Sequence, residues 1–128
     1  MNHSKLMGSL VLVGMLLLLA VPSFAHHGAA AYDNDKSVTI NGTVTEFQFI
    51  NPHVLITIEG KDPATGKVQK FEGELTSPNH LQRAGWTKGT LKPGDQVTFI
   101  GAPAKSGSPT VWLRKVMKDG QEISLAEN

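Results

Sequence analysis

Apolar and polar residues fall into three regimes along the chain. Leu6 to Val21 is an apolar run broken only by Gly8, Ser9 and Gly14, and His26 to Lys36 carries little apolar pattern. From Val38 the pattern has period two: Val38, Ile40, Val44, Phe47 and Phe49 are separated mostly by Thr, Glu and Gln, as in a half-buried strand. Gly42 inside this stretch predicts a bend or bulge. Asn51-Pro52 is a turn signal, because proline lacks a donor and restricts the residue before it. Val54 to Ile58 reads as a second strand, Lys61 to Gly66 as a polar hairpin loop and Lys67 to Leu75 as a third strand. Ser77-Pro78 opens a short helix, with Ser77 as N-cap and Pro78 in the first turn, running to about Ala84 and stopped by Gly85. Leu91 to Asp95 is a turn. Val97 to Ala102 and Val111 to Met117 are the fourth and fifth strands, and Glu122 to Leu125 follows Asp119-Gly120 as a sixth.

This order predicts a mainly all-β domain, a small five- to six-stranded antiparallel barrel with one short helix. Closure suits it, because a closed barrel leaves no exposed strand edge. The helix between the third and fourth strands resembles the oligonucleotide/oligosaccharide-binding type of barrel, with a β-sandwich as the alternative.

The apolar run changes the meaning of the rest. One Lys precedes it, it is shorter than the about 20 residues of a membrane span, and Ser23 and Ala25 place small residues at a signal-peptidase site. Residues 1–25 therefore read as a cleavable export signal, residues 26–37 as an N-terminal arm and residues 38–128 as the barrel domain. The expected destination is the periplasm, or the outside of the cell, with membrane contact only during export. Removing 25 of the 128 residues leaves 103, and takes Lys5 from the 12 basic residues, so 11 basic face 11 acidic ones. A neutral domain argues against nucleic acid as a partner, since backbone binding needs an excess of Lys and Arg. The chain has no cysteine, which excludes disulfides, thiolate zinc sites, cysteine nucleophiles, blue copper and lipoprotein anchoring.

Candidate chemistry then rests on histidine. A cut after Ala25 makes His26 the N-terminal residue, whose α-amino nitrogen and ring Nδ1 chelate one ion as a pair. A further nitrogen from His27 or His53 completes a histidine brace, a nitrogen set suited to Cu(II). His53 follows the Asn51-Pro52 turn, at a strand end, and a backbone-bonded turn residue is the plainer use of it. His80, in the helix, ranks fourth among the ligands. Glu72 and Glu74 alternate on one strand face around Gly73; paired carboxylates serve as acid and base or bind a hard cation, but a solvated strand face is the plainer reading. Trp86 and Trp112 offer a stacking platform, or else plug the barrel end. A surface around Arg83 and Trp86 for a partner protein, glycan or small ligand is the alternative function, with the histidines incidental. There is no Gly-x-Ser-x-Gly elbow and no phosphate-binding glycine loop, so an enzyme is the least favoured class.

The residues also resemble an uncharacterised bacterial family of small exported proteins, a domain-of-unknown-function family. The resemblance is carried by Ala25-His26-His27-Gly28 with Tyr32-Asp33, by Gly42-Thr43-Val44, and by Phe49-x-Asn51-Pro52-His53. Glu74-x-x-Ser77-Pro78-Asn79, Leu81-x-Arg83-Ala84-Gly85-Trp86, Leu91-Lys92-Pro93-Gly94-Asp95 and Asp119-Gly120 complete it. Phe49 stands where that family is expected to have Trp. The resemblance marks His26, His27 and His53 as positions of interest and assigns no activity. The partner expected on the metal reading is a periplasmic donor or acceptor of the ion.

Overall fold

The computed structural model describes residues 29–126. The export segment 1–25 and the histidines His26 and His27 lie outside the described residues. After a 3-10 turn at Ala29–Ala31 come β1 (Val38–Gln48), β2 (Leu55–Lys61), β3 (Val68–Glu74), a helix α1 (Pro78–Arg83), β4 (Gln96–Pro103), β5 (Thr110–Lys118) and β6 (Gln121–Ile123).

The strands are ordered β3-β2-β1-β4-β5-β6, and β3 also pairs with β5. That last pairing closes β1 to β5 into a barrel and leaves β6 as an extra strand on β5. The strand order, with α1 between β3 and β4, is that of the oligonucleotide/oligosaccharide-binding barrel. Closure rules out the sandwich. It also corrects the all-antiparallel expectation. A ring of five strands cannot alternate direction throughout, so one neighbouring pair must run the same way. Here it is β3 and β5, parallel through Glu72–Thr110, Gly73–Val111 and Glu74–Trp112, while the other four barrel pairings are antiparallel.

Alternation places the core as the sequence implies. Ile40 and Val44 of β1, Ile56 and Ile58 of β2, Phe71 of β3, Val97 and Phe99 of β4, and Val111 and Leu113 of β5 are buried in one cluster. The segment joining β3 to β4 adds Leu81, Ala84, Trp86 and Leu91 to that cluster. Ser77 caps α1 by accepting from the His80 N–H at 3.4 Å. Gly85 follows with φ +94°, a left-handed conformation that favours glycine.

The bend expected at Gly42 falls slightly later. The β1–β2 register shifts between Val44 and Glu46. Gly42 serves close approach instead, since a Cβ there would sit 2.6 Å from the Glu59 carbonyl oxygen.

Candidate functional site

The outward faces of β3 and β5 meet along the parallel seam. Because Phe71, Gly73 and Leu75 point inward, Glu72 and Glu74 point out, and on β5 Thr110 and Trp112 do the same. The arm before β1 lies over this seam. Tyr32 forms a bridge with Ala104, the Asp33 N–H donates to the Pro103 carbonyl at 2.8 Å, and the Lys105 N–H donates to the Ala31 carbonyl at 3.0 Å. Arg114 on β5 donates to the Asn34 carbonyl at 2.6 Å and to the Lys36 carbonyl at 3.2 Å. The arm is therefore anchored through Tyr32, which is 5% exposed, while Asn34, Asp35 and Lys36 remain exposed.

Tyr32 finds its polar partner in Glu74. The phenol hydroxyl donates to Glu74 Oε2, and His53 Nδ1 bonds Glu74 Oε1. One carboxylate thus ties three distant segments together: the arm, the turn before β2 and the end of β3. Trp112 forms the wall of the cluster. Its ring lies 5.7 Å from that of His53, edge-on, and 5.9 Å from that of Tyr32. The side chains of Glu74 and His53 are 18% and 35% exposed, so Glu74 is nearly covered while His53 reaches solvent at the rim.

The chemistry of the atoms fixes their roles. An ionised carboxylate only accepts hydrogen bonds, so His53 Nδ1 carries the hydrogen and donates. In the neutral ring this leaves Nε2 with a free lone pair. A carboxylate holding one ring nitrogen of a histidine is the arrangement that orients histidines for metal binding. Each oxygen of Glu74 carries one of these two bonds, which fixes the His53 ring. No group of three or more His, Cys, Asp or Glu side chains able to hold a metal ion forms among the described residues.

Burial pushes the Tyr32 phenol above its usual range, and the bond to Glu74 and the charges of Glu74 and Glu72 push it further; a hydrogen bond with Thr110 opposes them. Tyr32 is the one tyrosine of the chain, so tyrosinate absorbance reports it alone. In an alkaline titration the folded protein is expected to show no tyrosinate near pH 10, the ordinary value, whereas the denatured chain titrates there. The folded state then keeps a proton that the unfolded chain releases. The linked stability is therefore complete below about pH 10 and declines as pH rises beyond it. Normal titration of the folded protein would show that the phenol is not held as described.

His80 lies on α1 and is exposed. Arg83, at the end of α1, is exposed too, but Trp86 is 1% exposed. Its indole N–H donates to the Ser124 carbonyl at 2.8 Å, and its ring packs 6.1 Å from that of Phe47. Of the two uses the sequence offers for Trp86, its ring takes the plug, packed in the core. Trp112, the other candidate platform, instead lines the histidine cluster.

Tyr32, Glu74 and Trp112 are the residues of this cluster that strand patterning undervalues. The available signal lies in the Tyr32-Asp33, Asn51-Pro52-His53 and Glu74 segments of the resemblance, which the fold brings to one place.

Residues 14–114 match DUF6152, described as a family of unknown function. The chain belongs to DUF6152. No curated protein matches this DUF6152 member. Similar solved structures include the mitochondrial single-stranded DNA-binding protein Rim1 of S. cerevisiae, at 10% identity and a TM-score of 0.48, over 67% of this chain and 95% of that one. TiaS in complex with a tRNA and ATP is 22% identical with a TM-score of 0.45, over 68% of this chain and 19% of that one. A ZRD-deleted mutant of TiaS in complex with agmatine is 22% identical with a TM-score of 0.46, over 75% of this chain and 26% of that one. The DUF6152 chain therefore spans a small part of TiaS.

Proposed function

We propose that this DUF6152 protein is exported to the periplasm and there binds a metal ion, copper(II) foremost, for carriage or transfer. The ligands would be the amine and ring of His26, made N-terminal by cleavage after Ala25, and Nε2 of His53, with His27 adjacent. The observation that carries this reading is the bond between His53 Nδ1 and Glu74. It turns a histidine at the barrel rim into an oriented nitrogen donor, and the chain running toward His26 docks on the same carboxylate. A nitrogen-rich set without thiolate favours Cu(II) with tetragonal geometry.

The test uses protein recovered after export, whose mass fixes the first residue. Titration with Cu(II), followed by paramagnetic resonance, is expected to show nitrogen ligation, with affinity lowered about tenfold or more in His26→Ala and in His53→Ala. A mature chain starting elsewhere than His26, or unchanged affinity in both variants, sinks the proposal.

A further inference from the structure

The two ends of the barrel differ. Trp86 fills one of them, packed against Phe47 near the end of β1. At the opposite end, where β1, β3 and β5 begin, a cavity of about 360 Å³ opens between the β2–β3 and β4–β5 loops. That is the small end of the range for ligand pockets, about 300–1,000 Å³. Its floor is half-buried Val38 with the inward layer of Ile40, Phe71 and Val111. It is a cup and not a channel, because deeper in the barrel a Cβ at Gly73 would meet Leu113 at 2.5 Å and Phe99 at 2.8 Å.

We propose that this cup binds a small amphiphilic amine, with its ammonium at Asp62 and its apolar body against Val38 and Phe71. Asp62 is the one charged side chain lining the cup among the described residues. Its Oδ1 accepts from the Ala64 N–H at 2.8 Å and its Oδ2 from Gln69 Nε2 at 3.0 Å. A carboxylate has about four acceptor sites, so two remain. Gln69 has spent its amide nitrogen on Asp62 and keeps a carbonyl oxygen, a further acceptor. No ion pair neutralises Asp62 among the described residues. A negative, acceptor-only rim above an apolar floor selects a cationic donor. It repels carboxylates and phosphates, and gives a neutral hydroxyl a bond about half as strong. Both walls are set in advance. The Gly66 N–H donates to the Asp62 carbonyl at 2.7 Å, and the Asp62 N–H to the Lys67 carbonyl at 2.8 Å. Across the cup, the Ala104 N–H donates to the Thr110 carbonyl at 3.1 Å, and the Glu72 N–H to the Pro109 carbonyl at 2.9 Å. Little ordering is therefore left for the ligand to impose. This site stands or falls independently of the metal reading above.

The test titrates the exported protein with hexylamine, hexanol and hexanoate near pH 7, where the amine is an ammonium as in Lys, and follows backbone amide chemical shifts. Hexylamine is expected to shift Val38, Asp62 and Gln69 most, to bind about tenfold or more tighter than hexanol, and to weaken as salt is added. Hexanoate is expected to bind least. Asp62→Asn keeps an oxygen for the Ala64 N–H and removes the charge, so it is expected to lower hexylamine affinity to that of hexanol. Val38→Phe fills the cup from its floor and is expected to abolish binding with Asp62 intact, which keeps the proposal testable should Asp62→Asn fold poorly. Absence of hexylamine binding, shifts centred elsewhere, equal affinity for the three probes or preference for hexanoate would each overturn it. So would undiminished hexylamine affinity in either variant.

Discussion

Trp86→Ala is expected to lower unfolding stability by about 3–5 kcal/mol, the range for emptying a large aromatic site in a core. Trp86 is almost wholly buried and shares its cluster with Leu81, Ala84 and Leu91. It contacts Phe47 of β1 and ties the C-terminal segment through Ser124. Removing it leaves a cavity between α1 and the barrel and strands the Ser124 carbonyl. Chemical denaturation measures the loss directly. Were Trp86 instead a binding platform, the variant would keep its stability and lose a ligand, so near wild-type unfolding would overturn the plug. Trp86→Phe is expected to recover much of the packing and none of the hydrogen bond.

At Glu74 the two obvious substitutions separate stability from chemistry. Glu74→Ala removes the acceptor of a buried phenol and of His53 together, and leaving such a donor unpaired costs about 1–3 kcal/mol. Glu74→Gln keeps the shape and one acceptor. With the amide oxygen on the Tyr32 hydroxyl, the amide nitrogen faces His53. Nδ1 must then accept, and the hydrogen moves to Nε2. That tautomer has no lone pair to offer a metal at Nε2. Glu74→Gln is therefore expected to unfold much like the parent while Cu(II) affinity drops about 10–100-fold, the usual effect of losing a carboxylate that orients a metal-bound histidine. Parent-like affinity in the Gln variant would show that the carboxylate does not set the ligating face of His53.

The strands and the helix are legible in the sequence because each is governed by local pattern. Period-two alternation from Val38 onward reports which side chains share a face, and Ser77-Pro78 followed by Gly85 brackets a helix by capping chemistry alone. Alternation says nothing of partners, so the parallel contact of β3 with β5 is out of its reach, although an odd number of strands in a closed ring demands one. At Gly42 the commonest strand role of glycine, a bend, gives way to the close approach of β2.

The candidate site is half legible for the same reason. His53 can be picked out because few residue types bind a borderline metal and cysteine is absent. Glu74 cannot. Glu72 and Glu74 alternate with inward residues as solvated carboxylates do. Glu74 is covered only because an arm from 42 residues upstream lies across it. Trp86 and Trp112 show the limit again, since the sequence leaves both open to two uses. One is the plug and the other lines the histidine cluster, a division set by which strand or loop each belongs to.

The seam between β3 and β5 has one more consequence. It is held by three residue pairs, against six or seven at each other junction of the barrel. Local opening follows the line with the fewest bonds to break, and that line runs beneath Tyr32. The arm touches Glu74 on one side of it and Trp112 and Arg114 on the other. Residues 31–36 thus bridge the two sides of the seam, and loss of their ties is expected to speed amide exchange along it.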